Sequence, residues 1–176
     1  ELAFGLESLG YDTPTIRRRV AEMASFFGIQ TWFYKSVTEL SGGQKQLLNL
    51  ASVMVLQPKV LILDEPTSQL DPIAASDFLA TLGKINRELG TTILLTEHRL
   101  EEAFGFASRV AVMDDGKLLC TGTPAEVGAE LKSSGNAMFL AMPAAMRIWA
   151  ATDSKAACPI SVCDGRNWLL DYAKTH

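Results

Sequence analysis

Two strand-like segments separated by a long helical pattern are the feature that most restricts the fold of this chain. Val60–Leu63 is a short continuous apolar run, and Thr91–Thr96 is a second run of β-branched and apolar residues. Between them, Pro72–Leu89 has the pattern of a helix that ends at Gly90. A strand, a helix and a second strand in this order place the two strands parallel in one sheet. We therefore predict an α/β fold in which Val60–Leu63 is covered on both faces.

The segments on either side of this unit predict helices before it and a hairpin after it. Thr15–Phe27 has apolar residues at helical spacing, and Ser41 is placed to cap a helix that continues to about Gln57. Farther along, Arg109–Met113 and Lys117–Thr121 flank an Asp-Asp-Gly turn signal. We expect a parallel core sheet with a small helical subdomain and an antiparallel hairpin at the edge of the sheet.

The composition excludes several classes of protein. Hydrophobic residues make up 48% of the chain and charged residues 20%, which is an ordinary globular balance. The net charge of -4 gives no support for a nucleic-acid-binding surface, so we expect no nucleic-acid partner. The chain contains no run of eighteen apolar residues, so the sequence predicts no membrane span. The three cysteines are too few for a disulfide framework, and we expect reduced thiols.

Two adjacent carboxylates, Asp64 and Glu65, follow the first predicted strand. The carboxyl end of a parallel strand lies at the crevice where α/β sheets bind ligands. Asp64 is suited to hold Mg²⁺, directly or through water, because magnesium takes a few carboxylates together with water and phosphate oxygens. Glu65 is suited to orient or deprotonate an attacking water. The alternative is an acidic pair that only caps the strand.

A small glycine-bearing turn, Ser41-Gly42-Gly43-Gln44, opens the helix before this strand. Glycines let a backbone approach a phosphate closely, and the helix N-terminus that follows favours an anion. The alternative is a simple turn with an N-cap. The turn and the carboxylate pair together favour a site for a nucleotide phosphate and its magnesium.

Two further polar residues follow the same elements. His98 lies just past the second predicted strand, where a histidine can donate a hydrogen bond to a γ-phosphate oxygen. Alternatively, His98 is a surface or capping residue. Asp71 is placed to cap the helix that begins at Pro72 and could also contact a neighbouring subunit.

Together these residues resemble the nucleotide-binding domain of ABC transporters, which has a P-loop NTPase-like fold. Leu40–Gln44 is similar to the signature loop, Val60–Asp64 to Walker B and Glu65 to the catalytic glutamate. Ser68–Asp71 is similar to the D-loop, and His98 to the switch histidine. The resemblance implies ATP and Mg²⁺ as cofactors. It also implies a second ABC ATPase domain, whose nucleotide the signature loop contacts, and separate transmembrane subunits as partners.

A finer resemblance, to the energy-coupling-factor ATPases of vitamin and metal-ion importers, comes from Ala3–Glu7 and from Gly116–Val127. It implies a cytoplasmic protein that is peripheral on the inner face of the cell membrane. The chain contains no G-x-x-x-x-G-K-[ST] phosphate loop. We expect that loop before Glu1 in a parent protein, so the chain is interpreted as a C-terminal fragment that is inactive alone. The alternatives are a truncated, non-catalytic interaction module and a non-transport ABC ATPase.

The pattern also suggests a division of the chain. Residues 1–131 are interpreted as a partial ABC ATPase domain, with a helical subdomain and signature helix over 1–57 and the Walker B core over 58–131. Residues 132–176 have a weaker pattern and are interpreted as an appendage or an inter-domain linker.

Overall fold

The computed structural model describes residues 1–175 and divides the chain into two compact units, Glu1–Glu97 and the unit that begins at His98. The first unit consists of four helices, two strands and two short 3₁₀ turns. Its main elements are α1 (Phe4–Ser8), α2 (Thr13–Phe26), α3 (Gly42–Met54), β1 (Val60–Asp64), α4 (Pro72–Leu89) and β2 (Thr92–Thr96). No helix in the described part of the chain is both long and apolar enough to cross a membrane.

The strand–helix–strand unit forms as the sequence predicts. β1 and β2 pair in parallel, with Leu61 opposite Ile93 and Asp64 opposite Thr96. The helix between them, α4, ends at Gly90, whose positive φ of 68° suits glycine. The shared register brings the carboxyl ends of both strands to the same edge of the sheet.

The parallel sheet is covered on one face only, which differs from the expectation that β1 is covered on both. Leu61 is buried, and Leu63, Ile93 and Leu95 pack on the same core as the helices. On the other face, the exposed fractions of Val60, Ile62 and Leu94 are 57%, 70% and 60%. The physical reason is that this sheet has two strands among the described residues, and the helical core packs against one side of it.

Helix α3 packs its apolar side into the core of the first unit. Its buried residues, Leu50, Ala51 and Met54, belong to the same cluster as the buried residues of α4. The helix ends three residues earlier than predicted. Gln57 adopts a positive φ of 56°, and its N–H bonds to the Met54 carbonyl at 2.9 Å, which closes the last turn before Pro58.

The described part of the second unit contains a hairpin, four helices and one short 3₁₀ turn, Ala137–Ala141. Its elements are α5 (Leu100–Ala103), β3 (Val110–Asp114), β4 (Lys117–Gly122), α6 (Pro124–Ser133), α7 (Ala144–Ala150) and α8 (Val162–Thr175). The predicted hairpin forms, but among the described residues it is a two-stranded antiparallel sheet of its own and not an edge of the β1–β2 sheet as expected, because neither of its strands pairs with β1 or β2. Asp115 and Gly116 both have positive φ, 45° and 71°, as a tight hairpin turn requires.

Residues after 131 take part in the core of the second unit. Met142, Met146, Trp149 and Cys158 are buried in one cluster with Val112 of the hairpin and with Val127 and Leu131 of α6. The packing is tight, because a Cβ added at Gly128 would lie 3.0 Å from Met146 Sδ and 3.1 Å from Cys158 Sγ. The compact units therefore divide between Glu97 and His98, and the packing is continuous across residue 131.

Two tryptophan side chains donate hydrogen bonds to the irregular segment that precedes α8. Trp149 Nε1 donates to the Ala156 carbonyl at 3.1 Å, and Trp168 Nε1 donates to Ser154 Oγ at 3.0 Å. The ammonium of Lys132 lies 4.2 Å from the centre of the Trp149 ring, a cation–π contact. Indole hydrogen bonds give this segment partners although it has no regular backbone structure.

The three cysteines are free, and their burial predicts a clear order of reactivity. Burial raises the pKa of the Cys158 thiol to about 11, and burial also raises the pKa of Cys120, whereas Cys163 is exposed. Because the thiolate is the reactive form, we expect iodoacetamide to modify Cys163 well before Cys158 in the folded chain at pH 8. Peptide mapping by mass spectrometry measures the order, and unfolded chain is the control in which all three should react. Equal rates in the folded chain would contradict the burial of Cys158.

The same shift sets the sign of a pH effect on stability. The pKa of Cys158 is higher in the folded chain than its ordinary value of 9.0. The stabilising contribution of the buried, protonated thiol to the free energy of unfolding is therefore fully present below pH 9. It is lost as the pH rises towards about 11. Urea unfolding between these pH values should show a decrease that is smaller in the variant Cys158→Ala.

Candidate functional site

Asp64 and Glu65 lie where β1 ends, and the neighbouring strand holds both of them. The hydroxyl of Thr96, the last residue of β2, donates to Asp64 Oδ1 at 2.6 Å. The backbone N–H of Glu65 donates to the same hydroxyl oxygen at 3.0 Å and to the Thr96 carbonyl at 3.2 Å. Asp64 and Glu65 are both exposed, so both carboxylates are accessible from solvent.

Glu65 has an unusual backbone for its residue type. Its φ is 43°, in the left-handed region that side-chain-bearing residues rarely adopt. Its carbonyl accepts from the N–H of Ser68 at 3.1 Å, which starts the turn that leads to α4. Such conformations persist only where the surroundings determine them, and they concentrate at functional sites.

The loop Ser41–Gln44 begins α3 as a complete capping box. Ser41 Oγ accepts from the Gln44 N–H at 3.2 Å, and Gln44 Oε1 accepts from the Ser41 N–H at 2.9 Å. The predicted N-cap is therefore confirmed, and the side-chain oxygen of Gln44 is engaged in it. Gly42 and Gly43 stand at the first two helical positions, where backbone N–H groups have no acceptor within the helix. These two N–H groups are the ones available to an anion.

Gln46, which is not among the predicted site residues, links this loop to the carboxylate pair. Gln46 Nε2 donates at 3.1 Å to the carbonyl of Pro66, the residue after Glu65. Close packing adds a second link, because a Cβ on Gly43 would lie 3.2 Å from Ala74 Cβ near the start of α4. The signature-like loop and the Asp64–Glu65 pair are thus joined within one unit. Nothing in the sequence marks Gln46, whose partner is a backbone carbonyl twenty residues away.

Asp71 caps α4, as predicted. Its Oδ1 accepts from the N–H groups of Ile73 and Ala74, each at 3.0 Å. The carboxylate also favours the positive end of the helix dipole. A contact between Asp71 and a nucleotide or a neighbouring subunit stays a prediction.

His98 begins the second unit and is exposed. The residue before it, Glu97, belongs to the first unit, and its Oε2 accepts from the Thr67 hydroxyl at 2.7 Å. Thr67 is fully buried in the turn after Glu65, so this bond ties the end of the β2 segment to that turn. The role of His98 towards a phosphate stays a prediction.

The residues at the end of β1 fit a magnesium ion that is held mainly by other ligands. Asp64 Oδ1 takes the Thr96 hydroxyl, and Oδ2 has no hydrogen-bond partner among residues 1–175. No group of three or more His, Cys, Asp or Glu side chains in that range could enclose a metal ion. Magnesium commonly keeps one or two carboxylates with waters and substrate phosphates. The donor set matches that requirement and does not match a metal cage made of protein alone.

Comparison with known proteins finds one family model that matches part of this chain. The ABC transporter family model matches residues 6–68, a range that contains the loop Ser41–Gln44 and both Asp64 and Glu65. Asp71 and His98 lie outside the matched range.

Relatives with similar sequences and structures carry related names. The chain is 54% identical over 131 residues to a putative ABC transporter ATP-binding protein of Bacillus anthracis, covering 74% of the chain and 24% of the relative. It is 42% identical over 134 residues to the energy-coupling factor transporter ATP-binding protein EcfA1 of Caldanaerobacter subterraneus, covering 75% of the chain and 47% of that protein. The solved structure of cbiO1 from Clostridium perfringens, described as part of the ABC transporter complex cbiONQ, matches with a TM-score of 0.69 and 34% identity. That match covers 85% of this chain and 59% of the cbiO1 chain. The chain thus spans about a quarter to about half of the length of these two curated relatives.

Proposed function

We propose, from the premise that the chain carries part of an ABC transporter ATP-binding domain, that it supplies catalytic groups for ATP hydrolysis in an energy-coupling-factor-type importer. The observation that carries the proposal is the geometry at the end of β1. There, one hydroxyl holds both Asp64 and Glu65, and the loop Ser41–Gln44 belongs to the same unit. The names of the relatives describe parts of transporters, and we propose an importer whose substrate is a vitamin or a metal ion.

Glu65 is the residue proposed to act on the attacking water. Its carboxylate is exposed beside Asp64, and its backbone is fixed by two hydrogen bonds to Thr96. A positioned carboxylate can accept a proton from water as the water oxygen attacks the γ-phosphorus. The bond to the leaving ADP breaks, and the proton from water passes to Glu65.

Asp64 is the residue proposed to hold Mg²⁺, directly or through a water molecule. When bound, the ion would neutralise charge on the phosphate oxygens. Asp64 presents Oδ2 for this purpose, while the Thr96 hydroxyl fixes Oδ1. His98 is proposed to donate a hydrogen bond to a γ-phosphate oxygen.

The loop Ser41–Gln44 is proposed to contact the ATP that a second ABC ATPase domain binds. Its free donors are the N–H groups of Gly42 and Gly43 at the N-terminus of a 13-residue helix. A loop that contacts a partner's nucleotide makes hydrolysis depend on a dimer. Transmembrane subunits would then hold the dimer at the inner face of the cell membrane.

The exposed apolar face of the β1–β2 sheet favours a second candidate function. Val60, Ile62 and Leu94 form a face that another polypeptide could cover. On this reading the chain is a non-catalytic module that docks on a partner. The two candidates differ in whether the gene product that contains the chain hydrolyses ATP.

Phosphate release from MgATP tests the proposal. We expect the full-length gene product to release phosphate and the 176-residue chain alone to release none, because the chain contains no phosphate-loop sequence. Calorimetry on the 176-residue chain should show at most very weak binding of MgATP. Micromolar, stoichiometric binding would contradict that expectation. A full-length product that hydrolyses no ATP would overturn the enzyme proposal and favour the docking module.

A further inference from the structure

We propose that Thr96 is a positioning residue for ATP hydrolysis, and that its hydroxyl orients both Asp64 and Glu65. This inference rests on the proposed function. Thr96 is the last residue of β2, and its register partner across the sheet is Asp64. Its hydroxyl oxygen lies 2.6 Å from Asp64 Oδ1 and 3.0 Å from the backbone nitrogen of Glu65.

The chemistry of the three groups fixes the direction of both hydrogen bonds. The backbone N–H of Glu65 can only donate, so the Thr96 oxygen accepts from it. An ionised carboxylate can only accept, so the single hydroxyl hydrogen of Thr96 points to Asp64. A hydroxyl satisfies both demands at once, whereas a valine side chain of the same shape satisfies neither.

For Asp64, the bond selects which oxygen is presented to a ligand. A hydroxyl–carboxylate bond at 2.6 Å is short and charge-assisted, so it restricts the rotation of the carboxylate. It occupies Oδ1 and leaves Oδ2 as the oxygen for a magnesium ion or its water. Without the hydroxyl, Asp64 has no hydrogen bond to hold its orientation among residues 1–175.

For Glu65, the bond holds a backbone in an uncommon conformation. A φ of 43° is sparsely populated for glutamate, and the Glu65 N–H is shared between the hydroxyl and the carbonyl of Thr96. The backbone conformation decides the direction in which the Glu65 side chain leaves the strand. Loss of one of the two acceptors would therefore change the position of the proposed general base.

Pairing of the two strands does not require this hydroxyl. Leu63 pairs with Leu95 and Ile62 with Leu94, all through backbone groups and with apolar side chains. The hydroxyl of Thr96 therefore adds a function at the strand end that β-sheet pairing alone does not explain.

The test compares three variants in the full-length gene product. Thr96→Val removes the hydroxyl and keeps the shape, Thr96→Ser keeps the hydroxyl, and Thr92→Val is the matched control at the other end of β2. We expect Thr96→Val to lower kcat roughly 10- to 100-fold with little change in KM for ATP, and to weaken the binding of Mg²⁺ to the ATP-loaded protein as measured by calorimetry. Thr96→Ser should restore most of kcat, and Thr92→Val should leave kcat unchanged.

Each other result overturns the inference. A Thr96→Val enzyme with wild-type kcat and Mg²⁺ binding would show that the hydroxyl positions nothing of consequence. A Thr96→Ser enzyme as slow as Thr96→Val would show that packing, and not the hydroxyl, causes the loss of activity. A Thr92→Val enzyme that is equally slow would also assign the loss to packing in the strand. If Thr96→Val does not fold, Thr96→Ala, which also lacks the hydroxyl, takes its place in the comparison with Thr96→Ser. A wild-type product without ATPase activity would instead overturn the proposed function, and this inference with it.

Discussion

Replacement of Glu65 by Gln is expected to slow ATP hydrolysis by the full-length gene product roughly 10²- to 10⁴-fold, the range that a general base contributes. Glutamine has nearly the same shape as glutamate, so the backbone bonds from Glu65 to Thr96 should persist. The amide cannot accept the proton of the attacking water. Phosphate release measures the loss, and nucleotide binding to the same preparation should be largely unchanged.

Glu88→Gln is the matched control for this prediction. Glu88 is exposed near the end of α4 in the same unit, so its replacement removes one negative charge away from the strand ends. We expect the control to keep wild-type activity. If Glu65→Gln also keeps wild-type activity, Glu65 is not the general base, and the acidic pair would then be a strand-end feature only.

The sequence predicted most accurately those elements whose signals are local. The pattern Pro72–Leu89 matches α4 residue for residue, because Asp71 caps its start and Gly90 adopts a left-handed conformation at its end. The capping role of Ser41 was equally predictable, since the box needs only Ser41 and Gln44. The ABC transporter resemblance, which rests on short motifs such as Leu40–Gln44 and Val60–Asp64, is confirmed by the family match and the named relatives.

The contacts that build the site were not predictable from local patterns. Thr96 and Asp64 are 32 residues apart, and Gln46 and Pro66 are 20 apart. Threonine in a strand and glutamine in a helix are common, so neither residue type signals a role. Only the parallel register, which sets Thr96 opposite Asp64, makes the first contact visible.

The core of the second unit could not be predicted from local sequence patterns for a similar reason. Helix α7 has only seven residues, too few for a clear helical pattern, and the segment after it is irregular. Its order comes from distant contacts such as the bond from Trp149 to Ala156 and the packing of Cys158 near Gly128. A segment of this kind resembles a linker in sequence although it is packed in the structure.

Replacement of Met146 by Ala distinguishes a packed segment from a linker. Met146 is completely buried in the cluster of the second unit, so the variant should lose roughly 2–5 kcal/mol of stability through lost burial and the cavity left behind. Ile148 lies on the same helix but is 54% exposed, and Ile148→Ala should cost only about 0.5 kcal/mol or less. Hydrogen exchange followed by mass spectrometry measures both effects in the peptides that cover α7 and α8. Faster exchange in the Met146 variant alone would support a folded unit, because a loose appendage after residue 131 would leave the two variants alike.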